Sequence, residues 1–327
     1  MSKLHISAAP HINSGNSTSS VMRDVAIALL PATVAAVVLF GLQALLIVLV
    51  CVGAAVLAEY LFNLACKKSQ TIGDFSAVVT GLILALNLST KVPLWQAAVG
   101  SVFAIVIVKC LFGGLGKNIA NPAIAARVFM LIAFGATVAG GALPIASGDV
   151  SFFGVAFGNN TTDIIVSGAT PLADLENVDL LTLFLGNHGG TIGETCVIAL
   201  LLGYAYLVFK GVIKWYVPAA FVVTVFVLYL VTTGNIKLSL SHVLAGGLLF
   251  GAIFMATDYV TTPLSNLGKV VFCIGCGVIT FLIRMKFFGL EGIATYPEGV
   301  SIAILVMNML TPLIEKWTNP RTLGGVR

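Results

Sequence analysis

Gly81-Leu-Ile-Leu-Ala-Leu-Asn-Leu-Ser-Thr-Lys-Val-Pro93 decides the fold, because the chain carries a counterpart of it. Gly251-Ala-Ile-Phe-Met-Ala-Thr-Asp-Tyr-Val-Thr-Thr-Pro263 sets its glycine and proline at the same interval. Each stretch is apolar up to a polar break. Each is followed by a helix-length apolar run, a Gly-rich turn and a proline-led segment, Asn121-Pro122 in the first copy and Tyr296-Pro297 in the second. A span needs about 20 apolar residues at a rise of roughly 1.5 Å each. Measured that way, the sequence outward from these stretches gives ten runs, at 22–41, 43–65, 75–90, 94–112, 119–139, 190–209, 213–233, 241–257, 267–284 and 297–315. The runs at 75–90 and 241–257 are short, as expected of tilted or broken helices buried among the others. Five runs per half is an odd number, so the second half enters the membrane upside down. Inverted repeats of this kind set a functional site near the midplane, at the broken helices.

The composition agrees. Apolar residues make up 58% of the chain and charged residues 9%, and mean hydropathy is +1.05. A soluble domain carries roughly 25% charged residues, so this chain has too few to cover a water-facing surface. The net charge of +4 points to no nucleic acid, since membrane proteins carry Lys and Arg for topology. The first twenty residues are polar and lack an apolar core ahead of a small-residue cleavage site, which argues against a removed signal peptide. With the N-terminus placed in the cytoplasm, Lys3, Arg23, Lys67, Lys68, Lys109, Lys117, Lys210, Lys214, Lys269, Lys316, Arg321 and Arg327 fall on or near that side. Lys91, Lys237, Arg284 and Lys286 fall outside. Twelve against four is a positive-inside bias that puts both termini in the cytoplasm.

The expected fold is thus an all-α polytopic membrane protein of about ten transmembrane helices, arranged as two inverted five-helix repeats. Residues 1–21 form a cytoplasmic leader, 22–139 the first repeat, 140–189 an outer-face loop, 190–316 the second repeat and 317–327 a cytoplasmic tail.

The six cysteines lie in or at the edges of apolar runs, unlike a secreted disulfide framework. Cys273-Ile-Gly-Cys276 supplies two thiols where zinc or an iron–sulfur cluster needs about four ligands. Small residues packing helix on helix account for the pair, and no metal is expected. Neither a Walker A loop nor a GxGxxG after a strand is present, so no NAD or ATP site of those types is expected.

The segment 140–189 is far longer than a connection requires, and loops of this size are usually functional or disordered. It carries Asp149, Asp163, Asp174, Glu176 and Asp179 but no Lys or Arg, as suits the outer face. Within it stands Asp163-Ile-Ile-Val-Ser167-Gly168-Ala169-Thr170-Pro171-Leu172. Thr170 offers a hydroxyl, Gly168 and Ala169 leave its surroundings bare, and Pro171 pushes Thr170 away from helical geometry. Ser167 and Asp163 suit hydrogen bonding to a phosphate donor or to a modifying enzyme.

Asp-x-x-x-Ser-Gly-Ala-Thr, in an outer loop between two halves, resembles the flavin attachment motif of the Rnf and Nqr redox pumps. Four further stretches fit the same family in the expected order: Gly113–Ala123, Ala256–Tyr259, Gly289–Gly292 and Tyr296–Ser301. The resemblance is to the RnfD family of the Rnf complex, with its homologue NqrB in the Nqr complex. It implies FMN joined through its phosphate to Thr170 by a flavin transferase, and a second, non-covalent riboflavin near Asn118 and Asn121, which match an Asn-x-x-Asn-Pro motif. It also implies a membrane component of a ferredoxin:NAD+ oxidoreductase that relays electrons through flavin and takes part in Na+ or H+ export. Such a component sits in the inner membrane with the other Rnf subunits (A, B, C, E and G), of which G is the other FMN carrier. NqrB usually has a longer N-terminal arm, and the short leader here departs from it. A component of an Nqr-type quinone reductase and a urea-transporter-like solute channel are the competing readings.

Ionisable residues inside a membrane are costly and mark function by default. Glu59, Asp258 and Glu298 are the ion-pathway candidates. Glu59 also suits an interfacial position. Asp258 precedes Thr261-Thr262-Pro263, where a helix break frees carbonyls for a cation, and Glu298 equally suits capping of a helix dipole. Arg127 is a candidate to balance a flavin phosphate or a reduced flavin, or to pair with a carboxylate.

Overall fold

The computed structural model describes residues 17–138, 141–142, 144, 167–168, 172, 180–186, 188–285 and 299–318. Each of the ten apolar runs contains helix. α1 (Thr18–Phe40) and α2 (Leu42–Ala65) meet at Gly41, and α3 (Ser76–Leu86) and α4 (Leu94–Val102) follow. The last continues in π-helical turns over Phe103–Cys110. α5 (Pro122–Ala133) is followed by the single turn α6 (Gly135–Val138). After the central segment come α7 (Leu180–Leu185), α8 (Val197–Phe209), α9 (Tyr216–Thr233) and α10 (Ile236–Leu244). α11 (Leu248–Phe250) runs on in π turns over Gly251–Met255, and α12 (Asn266–Arg284) and α13 (Val300–Thr318) complete the chain.

Helix ends sit where the sequence offers caps. Ser17 accepts from the Ser20 N–H at 3.2 Å, and Ser265 from the Gly268 N–H at 3.0 Å. Asn235 accepts from Lys237 N–H at 3.0 Å and Leu238 N–H at 3.4 Å. Each satisfies a donor that the first turn leaves open.

Among the described residues, five helices are long and apolar enough to cross a membrane: α1, α2, α9, α12 and α13. A sixth span arises if α10 and the Leu248–Met255 helix, bent by 63° at their junction, count as one. The other four runs hold shorter apolar helices: Ser76–Leu86, Leu94–Cys110, Pro122–Ala133 and Val197–Phe209. The runs read as 119–139 and 190–209 are therefore shorter helices than expected. α5 stops at Phe134. α8 begins only at Val197 because the preceding residues form a turn tied to the end of α3, with Ile192 N–H on Leu88 O at 2.9 Å and Gly193 N–H on Leu86 O at 2.7 Å. Those bonds use carbonyls freed where α3 breaks off.

The two copies of the Gly-to-Pro stretch each end one helix and lead to the next, α3 to α4 and α11 to α12. α2 packs on α3 and α4, and α12 packs on α9 and α13. Contacts of α1 with α8 and of α5 with α13 join the regions on either side of the central segment, so one buried core runs through both. Gly203 makes the α1–α8 contact possible, since a Cβ there would collide with the Ala28 carbonyl. Large apolar side chains cover the outside, among them Phe209, Ile132 and Val231, as expected of a multi-pass membrane protein facing lipid.

In the long central segment, β1 (Gly141–Ala142) and β2 (Ser167–Gly168) pair antiparallel, Gly141 with Gly168 and Ala142 with Ser167. Ala142 is bridged in turn to Gly190. The expectations for Asp163, Ala169, Thr170, Glu298 and the Gly289–Gly292 stretch lie outside the described residues.

Candidate functional site

Two breaks far apart in sequence, the Gly-rich turn between α4 and α5 and the connector between α11 and α12, border one cavity at the α1 N-terminal end of the bundle. From the first break come Asn118 and Asn121, from the second Thr257, Asp258 and Tyr259, and Ser76 and Lys109 close one side. The turn into the first break holds φ of 111°, 93° and 91° at Gly113, Gly114 and Gly116, a backbone that residues with a Cβ seldom adopt. That turn delivers Asn121 to the N-cap of α5, where its Oδ1 accepts the Ala123 N–H at 3.0 Å. Pro122 at the first helical position has no N–H to leave open. One turn earlier, Asn118 lines the cavity with a buried Oδ1 that has no hydrogen-bond partner among the described residues.

Asp258 lies in the connector between α11 and α12. Its Oδ2 accepts the Thr261 hydroxyl at 3.0 Å, its Oδ1 the Val260 N–H at 3.3 Å, and its own carbonyl the Thr262 hydroxyl at 2.5 Å. Burial raises its carboxyl above the usual carboxylate range, and the bonds from Val260 and Thr261 pull the other way. Asn308 on α13 spans both breaks. Its amide donates to the Thr261 carbonyl at 3.3 Å and accepts the Asn121 N–H at 3.1 Å.

Glu59 on α2 is buried within the protein. It is 1% exposed and ion-paired with Lys109, 2% exposed, whose Nζ lies 2.9 and 2.8 Å from the two carboxylate oxygens. Lys109 Nζ also donates to Ser76 Oγ at 2.6 Å, and Ser76 Oγ to Asp74. Thr71 donates to Glu59 at 2.5 Å and receives Asn63 at 3.0 Å. Lys109, counted with the topological charges, is therefore a correction: it is a buried partner of Glu59 and a wall of the cavity.

Arg127 is fully buried in α5 and is not among the cavity's lining residues. Cys273 and Cys276 are buried as free thiols on α12. Ser167 and Gly168 occupy β2, away from that cavity. Beyond Thr170, Leu172 packs with Leu183 and Ala245. A Cβ on Gly246 would sit 2.8 Å from Leu172 Cδ1 and 3.2 Å from Arg284 Nη2. Arg284 is itself held by the carbonyls of His242 at 2.6 Å and Ala245 at 3.3 Å.

Sequence reasoning missed Lys109 as a partner, and it missed Asn308 and Glu194. Asn308 is 2% exposed and the lone amide in an apolar helix, which was a readable signal. Glu194 is 4% exposed; its Oε1 accepts the Thr191 N–H at 2.8 Å, and its Oε2 lies 3.2 Å from where a Gly247 Cβ would be.

A family model described as the NQR2, RnfD, RnfE family matches residues 5–324. The chain is 42% identical to the D subunit of the Na(+)-translocating ferredoxin:NAD(+) oxidoreductase complex of Acetobacterium woodii, over 98% of this chain and 95% of that one. It is 37% identical to the D subunit of the proton-translocating ferredoxin:NAD(+) oxidoreductase complex of Clostridium ljungdahlii, over 98% and 96%. Identity to the D subunit of the ion-translocating oxidoreductase complex of Vibrio cholerae is 33%, over 98% and 99%.

Proposed function

The chain belongs to the NQR2, RnfD, RnfE family, and from that premise we propose that it is the electron-relaying, flavin-carrying membrane component of an ion-translocating ferredoxin:NAD+ oxidoreductase. The observation that carries the flavin reading is Asn118, a residue lining a cavity bordered by both breaks, whose buried Oδ1 has no hydrogen-bond partner among the described residues. Val79, Ile83, Ile253 and Phe254 supply apolar walls for a flat ring, and Asn118 supplies an acceptor for a ring N–H and a donor for a ring carbonyl. Lys109 contributes no further donor, because its three N–H groups go to Glu59 and Ser76. The chemistry of this lining suits one edge of a flavin ring held without a covalent bond.

A bound flavin supplies the redox chemistry; the chain supplies position, dryness and local charge. Asn118 orients the ring edge, the apolar walls exclude water, and Asn308 ties the two breaks together so that the cavity keeps its shape. FMN is attached at Thr170 by a flavin transferase, with Ser167, Gly168, Ala169 and Asp163 forming the recognition segment. In this reading the two halves are inverted repeats in the inner membrane. Both termini are cytoplasmic, the Thr170 loop is on the outer face, and the partners are the other Rnf subunits (A, B, C, E and G). Asp258, Glu59 and Glu298 are the ion-pathway candidates for Na+ or H+.

Acid-extractable flavin tests the cavity. The wild-type complex should release riboflavin, Asn118→Leu should lose most of it, and Asp258→Asn should keep flavin while weakening ion transport. Unchanged extractable flavin in Asn118→Leu excludes the cavity as its site, and unchanged transport in Asp258→Asn removes that residue from the ion path.

A further inference from the structure

A second, smaller hollow opens at the same end of the bundle, between the start of α9 and the start of α12. Lys214 and Lys269 both line it, with Tyr259, Thr257, Thr262 and Val217. Neither lysine has a carboxylate within 4.0 Å among the described residues; the ion pair found there is Glu59 with Lys109. Lys214 Nζ is anchored on Asn266 Oδ1 at 2.6 Å and lies 6.0 Å from the Tyr216 ring, while Lys269 Nζ lies 5.6 Å from the Tyr259 ring. The nearby acids face elsewhere. Asp258 is bonded to Val260 and Thr261, and Glu315 accepts the Leu264 N–H at 3.1 Å. A pair of cations around one hollow without a counter-ion calls for an anion from outside the chain. The flanking residues give that anion a character: Trp215, next to Lys214, Leu267, next to Asn266, and Leu264, two residues before it, are largely exposed. Cationic groups beside exposed indole and leucine side chains suit a ligand with a phosphate head and an apolar tail, at the depth where Trp and Lys collect in membrane proteins.

We propose that the Lys214–Lys269 cavity binds the headgroup phosphate of an anionic phospholipid in the leaflet at the α1 N-terminal end. The lysines hold the phosphate, Tyr259 borders it, and the acyl chains run over Trp215, Leu264 and Leu267. The site is separate from the flavin reading, although the two cavities share Val212, Ile213, Thr257 and Tyr259 in their walls.

The test is native mass spectrometry of the full-length chain released from nanodiscs holding equal phosphatidylglycerol and phosphatidylcholine. The wild type should retain phosphatidylglycerol preferentially. At about fivefold per lysine, the Lys214→Gln/Lys269→Gln double variant should lose roughly thirtyfold of that retention. The Lys214→Arg/Lys269→Arg variant should keep most of it, and Lys210→Gln, which removes a lysine outside the cavity, should keep all of it. Equal retention by the double Gln variant overturns the proposal, and so does an equal loss in Lys210→Gln. Displacement of the lipid by inorganic phosphate or by FMN alone also overturns it, by showing a site for free phosphate or for a flavin.

Discussion

At the scale of single residues, the buried Glu59–Lys109 pair carries a large desolvation cost. Two charges taken out of water return that cost only when geometry is good and the remaining hydrogen bonds are made. Here Thr71, Ser76 and Asn63 complete them. Removing one partner strands a buried charge and costs about 3–5 kcal/mol, whereas replacing both with apolar residues is close to neutral. Glu59→Leu alone and Lys109→Met alone should each unfold at markedly lower temperature in detergent, and the double variant should recover most of the loss. Reaction of a fluorogenic maleimide with the buried free thiols Cys51, Cys110, Cys273 and Cys276 reads the transition. A double variant as unstable as the single ones would show that the network, not the isolated charge, carries the cost. Both residues were visible in the sequence as isolated charges near apolar runs, but their pairing across 50 positions was not, because no local pattern links α2 to the end of α4. Asn118 and Asn121 were legible from the Gly-rich turn and the proline behind them.

At the scale of elements, every apolar run located a helix, yet not every length, and the short α7 (Leu180–Leu185) lies in the segment expected to be a loop. Runs read as continuous were cut where polar groups had bonds to make: α3 at Asn87, whose amide donates to the Ile83 carbonyl at 2.7 Å, and α8 by the turn tied to Leu86 and Leu88. Hydropathy registers where a chain avoids water, and it is blind to a backbone that turns inside protein and finds partners there. Helix contacts depend instead on small residues, and these separate sharply. Gly203→Leu must push α8 off the Ala28 carbonyl of α1, and folded yield and unfolding temperature should both fall strongly. Gly53→Leu on α2, with nothing within 4 Å of its Cβ position, should leave both near wild type. Similar losses in the two variants would mean that glycine is needed for something other than the α1–α8 approach.

At the scale of the molecule, composition and apolar runs were enough to identify a multi-pass membrane protein. The convergence of both breaks on one cavity, with Asn308 laid across them, rests on α5 packing against α13 and on distances no periodicity encodes. The same architecture holds the described flanks of Thr170 in place, Ser167 and Gly168 on β1 and Leu172 beside Gly246 and Arg284. The central claim is that this hydroxyl carries a flavin. In-gel ultraviolet fluorescence of the denatured chain, produced together with its flavin transferase, tests it most directly. The account predicts a fluorescent band for the wild type and a dark band for Thr170→Val; a dark wild-type band, or fluorescence that survives in Thr170→Val, would contradict it.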